Sequence, residues 1–381
     1  MKKQGNETMI EITEVNDKDT LKAFVLFPFE LYKGSRYWVP PLIADEMKTF
    51  DPAHNPTLEF CQVQLVVARK QGRVVGRLAL IVNRRENELL GQRKLRFGWL
   101  DFEDDPEITR ALFDYATRWG REHDMEYMEG PVGFCNLDKA ALLTEGFEEL
   151  SNTTALYNYP YYERHLLACG LEHCTKWVEK EMIVPEQVPE KIRRFSTIIK
   201  ERNELSVPDL RSKRAIRRYI PQVFDILNQT YCTLENFVPL TPGQQEFYAA
   251  KFMDVIHPDY VSCVEDKDGN MIAFGVAIPY MGSALQKAGG HLLPFGWYHI
   301  LKALRSNDRV ELLLIGVLPK WQRKGVTALI FDEIMQKFID NHVVYVETNP
   351  EQEQNTSVQA FWKEYKNRLH KVRWTFHKRI E

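Results

Sequence analysis

The sequence lacks any apolar run approaching ~18 residues, the length a membrane-crossing helix requires. Its start, MKKQGNETMIEITEVND, has no continuous apolar segment of the kind a secretion signal carries. A cytoplasmic chain is the expectation. A large charge of either sign is also missing: the formal net charge is −3, so nothing global attracts a nucleic acid and any basic site has to be local. No nucleic-acid partner is expected. The six cysteines, at positions 61, 135, 169, 174, 232 and 263, have neither the short paired spacings of a zinc site nor those of a small disulfide scaffold. They read as reduced and structural, and no metal is expected.

What is present is enough chain for two cores, 381 residues of which 44% are hydrophobic and 27% charged, and a plan used twice. Val63 to Asn83 reads as an antiparallel hairpin around Lys70-Gln71-Gly72-Arg73, and Tyr260 to Pro279 repeats it around Asp268-Gly269. Each hairpin is followed by a strand (Leu95 to Phe102; Val310 to Leu318), an amphipathic helix (Pro106 to His123; Thr327 to Ile339) and a further strand (Tyr127 to Glu129; Val343 to Glu347). The join falls in MIVPEQVPEKI, where Pro185 and Pro189 flank a polar step before a helix over Glu190 to Asn203. This gives two domains, 1–185 and 186–381, in an α/β chain.

In the second domain the stretch LLLIGVLPKWQRKGVTALIFDEI runs from a buried strand through a basic turn into a helix. Such a turn aims free backbone N–H groups at one point, and the helix dipole adds roughly half a positive charge there. That is an anion site suited to phosphate. Gly325 would let backbone approach a ligand, Arg323 and Lys324 would add charge, and Thr327 is placed to cap the helix. The alternative is an ordinary solvated loop.

The order of elements and GVLPKWQRKGVTALIFDEI resemble the GNAT superfamily of acyl-CoA-dependent N-acyltransferases, whose corresponding turn is Gln/Arg-x-x-Gly-x-Gly/Ala. Gln322 and Gly325 match that pattern, and Thr327 departs from its last position. The whole chain looks like a tandem GNAT protein of bacterial type, each domain a mixed, mostly antiparallel sheet flanked by helices. The resemblance implies that the turn Gln322, Arg323, Lys324, Gly325, Val326 and Thr327 holds the coenzyme A pyrophosphate. It further implies that the backbone of Ile315, Val317 and Leu318 pairs with the pantetheine arm, with Asn355 as a further cofactor contact. Acetyl-CoA or another acyl-CoA would be the co-substrate and an amine the acceptor.

Acyl transfer to an amine needs a base, a polarised thioester carbonyl and a proton source for the departing thiolate. By resemblance Glu311, eleven residues before Gln322, is the base and the Val317 amide holds the thioester oxygen. Where many members of the family carry a proton-donating tyrosine, this chain has Trp362. Trp362 cannot give up a proton at neutral pH, and Tyr365, three residues on, is the candidate in its place. The first domain's equivalent turn, LDFEDDPEIT, is crowded with Asp101, Glu103, Asp104, Asp105 and Glu107. Like charges there repel a pyrophosphate, and Asp105-Pro106 reads as a helix cap, so this domain is a degenerate copy with a structural or acceptor-side role. For the latter, Glu129 to Asn136 and Leu156 to His165 offer aromatic and amide groups. The long segment Met281 to Arg309 has three readings: a cover for the acceptor, packing between the halves, or a peripheral contact with a membrane. The rival to catalysis is an inactive tandem fold that binds a ligand or a partner.

Overall fold

The computed structural model describes residues 9–233, 237–354, 362 and 365–380. The chain divides into two compact units, Met1–Ser151 with Ala155–Lys176 and Val372–Glu381, and Asn152–Thr154 with Trp177–Lys371. The changeover therefore lies before the proline-flanked segment, and the end of the chain returns to unit 1.

In unit 1 the strands Glu11–Glu14, Cys61–Lys70, Arg73–Asn83 and Lys94–Phe102 pair antiparallel in that order, and Lys94–Phe102 then pairs in parallel with Tyr127–Gly130. Gln71 and Gly72 both have positive φ (54° and 79°), the geometry of a two-residue hairpin turn, and Lys70 pairs with Arg73 across it. The helix Pro106–Glu122 begins as its sequence specifies, with the Asp105 side chain accepting from the Glu107 amide and proline in the first turn. Its buried stripe, including Ile108, Leu112, Ala116 and Trp119, recurs at helical spacing and packs into the unit 1 core.

Unit 2 repeats the plan. Val261–Glu265, Met271–Pro279 and Arg309–Val317 pair antiparallel, Arg309–Val317 pairs in parallel with Tyr345–Glu347, and Tyr345–Glu347 pairs antiparallel with residues 181–183. Helix Thr327–Asp340 buries Leu329, Ile330, Ile334, Met335 and Phe338 in the unit 2 core. It lies close on the sheet because position 275 has no side chain: a Cβ on Gly275 would stand 2.4 Å from Ile330. Helix Ile220–Thr230 packs on the other face, since the Cβ absent from Gly316, the next residue along from the one paired with Gly275, would meet Ile226 at 2.9 Å. The segment 281–309 is a pair of helices, Gly282–Ala288 and Gly296–Arg305.

Candidate active site

The strand Arg309–Val317 positions the site through where it loses its partner. Its parallel pairing with Tyr345–Glu347 covers only Arg309, Val310 and Glu311; beyond Glu311 it continues to Val317. Leu313 is an extra residue, because Leu312 pairs with Ala277 and Leu314 with Val276, a bulge that bends the strand. The Leu318 amide donates to the Ile272 carbonyl at 2.9 Å, so by alternation Ile315 and Val317 turn their amides and carbonyls to the opposite edge. Three side chains reach that edge: Asn349 donates to the Leu313 carbonyl, the Tyr231 hydroxyl to Ile315 and the Gln322 amide to Val317, each at 3.1 Å. A carbonyl has a second lone pair, and the N–H groups of Ile315 and Val317 face the same way.

Glu311 stands where the two strands part. It is 2% exposed and accepts from the Thr153 amide at 2.9 Å and the Thr153 hydroxyl at 2.6 Å. Burial, followed by the charge of neighbouring Glu347, pushes its carboxyl up to about 8 against those two hydrogen bonds. A carboxyl tuned near neutrality can take and return a proton under working conditions. Glu347 behaves in the opposite way. Burial opposes its charge, but Lys371 and His370 beside it prevail and hold its carboxyl well below the usual range. Among the described residues one group, Glu179, Glu347 and His370, has ligand atoms within 4.8 Å of one another. The Lys371 ammonium is bonded to Glu347 and lies 3.5 Å from Glu179, so a cation's place there is taken by the chain itself.

The turn after the strand has the form an anion site needs. Pro319–Trp321 makes a single helical turn, Arg323 and Gly325 both have positive φ (61° and 82°), and helix Thr327–Asp340 follows. The amides of Arg323, Gly325, Val326 and Thr327 have no acceptor among the described residues. The Lys324 ammonium lies 4.6 Å above the Trp321 ring. Two details differ from the sequence reading. Thr327 does not cap the helix: the capping position is Val326, without a side-chain bond, and Thr327 is the first helical residue. Gly325 is called for by its φ and also lies under a neighbour, since a Cβ there would sit 2.6 Å from the half-exposed Phe195 ring on helix Glu190–Arg202.

Tyr365 is 6% exposed and packs in the unit 2 core with Trp362. Trp362 donates its indole N–H to Glu351 at 3.2 Å, and burial pushes the Glu351 carboxyl up to about 7 against that bond. Asn355 lies outside the described residues. The structure brings Glu311, the Ile315 edge and the turn 322–327 onto one strand and its continuation. It does not bring Glu311 to Val317: they stand six positions apart on the strand, about 17–20 Å after allowing for the bulge. Sequence reasoning missed Thr153, Tyr231, Asn349 and Glu351. Thr153 reaches Glu311 across 158 positions of sequence, and no local pattern signals such a contact.

In unit 1 every acidic side chain of the corresponding turn has a basic partner. Asp101 pairs with Arg77 at 2.7 Å, Asp104 with Arg164 and His165 at 2.8 and 2.7 Å, Asp105 with Lys70 at 2.8 Å, and Glu103 with Arg73. Glu107 lies 3.8 Å from Lys70. The aromatic run before His165 is largely core: Tyr162 is fully buried, bonded to Tyr32, and the Tyr161 hydroxyl donates to the Phe102 carbonyl. Phe134 of the other segment packs with Cys61 and Ile81.

No family model matches the chain. Among curated proteins it is 26% identical over 329 residues to Protein YghO of Escherichia coli K12, spanning 82% of this chain and 80% of that one. It is 24% identical over 322 residues, 82% of each chain, to a protein of Caulobacter vibrioides named bacterial ceramide synthase. Among solved structures it superposes on a tandem GNAT protein from the clavulanic acid biosynthesis pathway with a TM-score of 0.56 and 15% identity, covering 98% of this chain and 99% of that one. The chain has the tandem GNAT fold, two α/β units each built on a mixed, mostly antiparallel sheet flanked by helices. No helix among the described residues is long and apolar enough to cross a membrane.

Proposed function

We propose that this chain is an acyl-CoA-dependent N-acyltransferase, with unit 2 binding the thioester and moving its acyl group to a primary amine. The observation that carries the reading is the strand Arg309–Val317, which parts from its parallel neighbour at a buried carboxyl of raised pKa and leads into a turn with free amides. The pyrophosphate sits on the turn 322–327, on the amides of Arg323, Gly325, Val326 and Thr327 with the Arg323 and Lys324 side chains beside it, the pantetheine arm runs along Ile315 to Leu318, and Asn355 is a further contact. Glu311 takes the amine proton, directly or through water. The Ile315 amide, four residues from Glu311 and on the same edge as Val317, is the nearer of the two to hold the thioester oxygen.

Two tyrosines compete to protonate the thiolate. Tyr365 is the one sequence spacing suggests; Tyr231 has its hydroxyl on the Ile315 carbonyl, at the edge where the thioester would lie. Tyr231→Phe should slow turnover by about tenfold or more, with the deficit shrinking for a leaving thiol of lower pKa, while Tyr365→Phe should leave turnover nearly unchanged. The reverse ranking in steady-state rates would return the role to Tyr365.

The second reading, an inactive ligand-binding tandem fold, is favoured by Trp362 at the usual tyrosine position and Thr327 at the usual small one. Coenzyme A titration followed by thioester consumption across an amine panel separates the two. Because one relative is named a ceramide synthase, and ceramide is the amide of a long-chain amino alcohol, that panel should pair long-chain amino alcohols with long-chain acyl-CoA as well as small amines with acetyl-CoA. Binding without transfer on any pair would favour the second reading. Calorimetry should give one coenzyme A per chain, since the unit 1 turn is acidic and internally paired. A stoichiometry of two would overturn its assignment as a copy without cofactor.

A further inference from the structure

The helix pair in 281–309 carries a surface that the described residues leave uncovered. Leu292, Leu293, Phe295, Trp297, Tyr298 and Leu301 are all exposed, Leu293 to 77% and Phe295 to 71%. Ten consecutive positions thus hold six of the fifteen large exposed hydrophobic side chains among the described residues, a clustering that scattered surface residues do not produce. On helix Gly296–Arg305 the exposed residues are Trp297, Tyr298, Leu301, Lys302 and Arg305, which recur at the i, i+1, i+4, i+5, i+8 spacing of one helix face. The loop before it, with Leu293 and Phe295, extends the apolar end of that face.

Charge identifies the occupant. No Asp or Glu occurs between Asp268 and Asp308, while Lys287, Lys302 and Arg305 lie within that span. None of these three cations is in an ion pair among the described residues. Exposed aromatic side chains beside unpaired cations, with no acid among them, match the boundary of an anionic bilayer, where the rings enter the acyl edge and the cations meet phosphates. A second copy of the same face is a poor match, because it would set Lys302 and Arg305 against like charges. A protein partner's groove would have to supply both an apolar floor and an acidic rim. From these observations we infer that the 281–309 helix pair docks the protein peripherally on anionic lipid bilayers. The inference does not depend on the acyltransferase reading.

The full chain should co-sediment with phosphatidylcholine vesicles containing phosphatidylglycerol and much less with phosphatidylcholine alone. Added salt should weaken the binding as it screens the cations. Leu293→Glu with Phe295→Glu should reduce binding to the anionic vesicles by about tenfold or more, and Lys302→Glu with Arg305→Glu should abolish the preference for anionic lipid. All four side chains are exposed, and an unchanged circular dichroism spectrum and melting temperature would show that the variants are folded. The inference is overturned if neither vesicle type binds the parent, or if binding is insensitive to all four substitutions. Concentration-dependent dimerisation that disappears in Leu293→Glu with Phe295→Glu, without vesicle binding, would assign the face to a second copy instead.

Discussion

Glu311→Gln should lower acyl transfer by about 100-fold or more at neutral pH, and above about pH 8, where Glu311 is ionised, the deficit should narrow as pH approaches the amine's own pKa, because free amine then forms without a base. The parent's profile carries a second signature. With its carboxyl pushed up to about 8 by burial and by Glu347, Glu311 is only about one-tenth ionised at pH 7, so activity should climb towards pH 8 more steeply than amine ionisation alone requires. The variant should lack that extra slope. Alkaline profiles that ran parallel in parent and variant would remove Glu311 from the mechanism and leave deprotonation through water.

The same substitution has an effect on stability that needs no substrate. The folded-state pKa of Glu311 lies above its ordinary value of 4.5, so between these two values the folded chain keeps a proton that the unfolded chain has released. Its contribution is fully present below the unfolded pKa and is lost as pH rises through the folded one, near 8. Glutamine does not titrate and keeps the size and hydrogen-bonding shape facing Thr153. The melting temperature of Glu311→Gln relative to the parent should therefore increase from about pH 5 to 8 and then level off. A difference that stayed flat would mean that the carboxyl is ionised in the folded protein.

The repeated order of elements was legible because periodicity and turn chemistry are local. Gln71-Gly72 and Asp268-Gly269 closed the expected hairpins, and Asp105-Pro106 opened the expected helix. Within the site, Glu311, Ile315, Val317 and residues 322–327 lie on one strand and the turn that continues it, since those too are contiguous in sequence, whereas Tyr365 packs in the unit 2 core and Asn355 lies outside the described residues. What was not legible depends on contacts between distant segments. Thr153 holds Glu311, Tyr231 caps Ile315, and the Phe195 ring closes over Gly325. The domain join was misplaced for a related reason: Pro185 and Pro189 mark a local break, whereas unit membership is decided by which core a strand packs against, and residues 372–381 go back to the first. The reach from Glu311 to Val317 was countable in residues, but its cost became clear only once both were on one extended strand.

At the turn, Arg323→Gly combined with Lys324→Met should weaken coenzyme A binding by roughly tenfold for each charge lost, with the loss shrinking at high ionic strength. These replacements separate the ligand from the fold. Arg323 has a φ of 61°, a conformation that costs a residue with a side chain about 1–2 kcal/mol and glycine little, so Arg323→Gly should leave thermal stability unchanged or raise it. Methionine at 324 keeps an apolar stem to lie against Trp321 while removing the ammonium. Gly325→Ala is the weaker probe. Its φ is 82° and its new Cβ would stand 2.6 Å from Phe195, so the variant should lose stability whether or not a phosphate binds beside it. Calorimetry on the double variant decides the assignment: a coenzyme A affinity equal to the parent's, in a protein at least as stable, would mean that the pyrophosphate does not lie beside Arg323 and Lys324 on this turn.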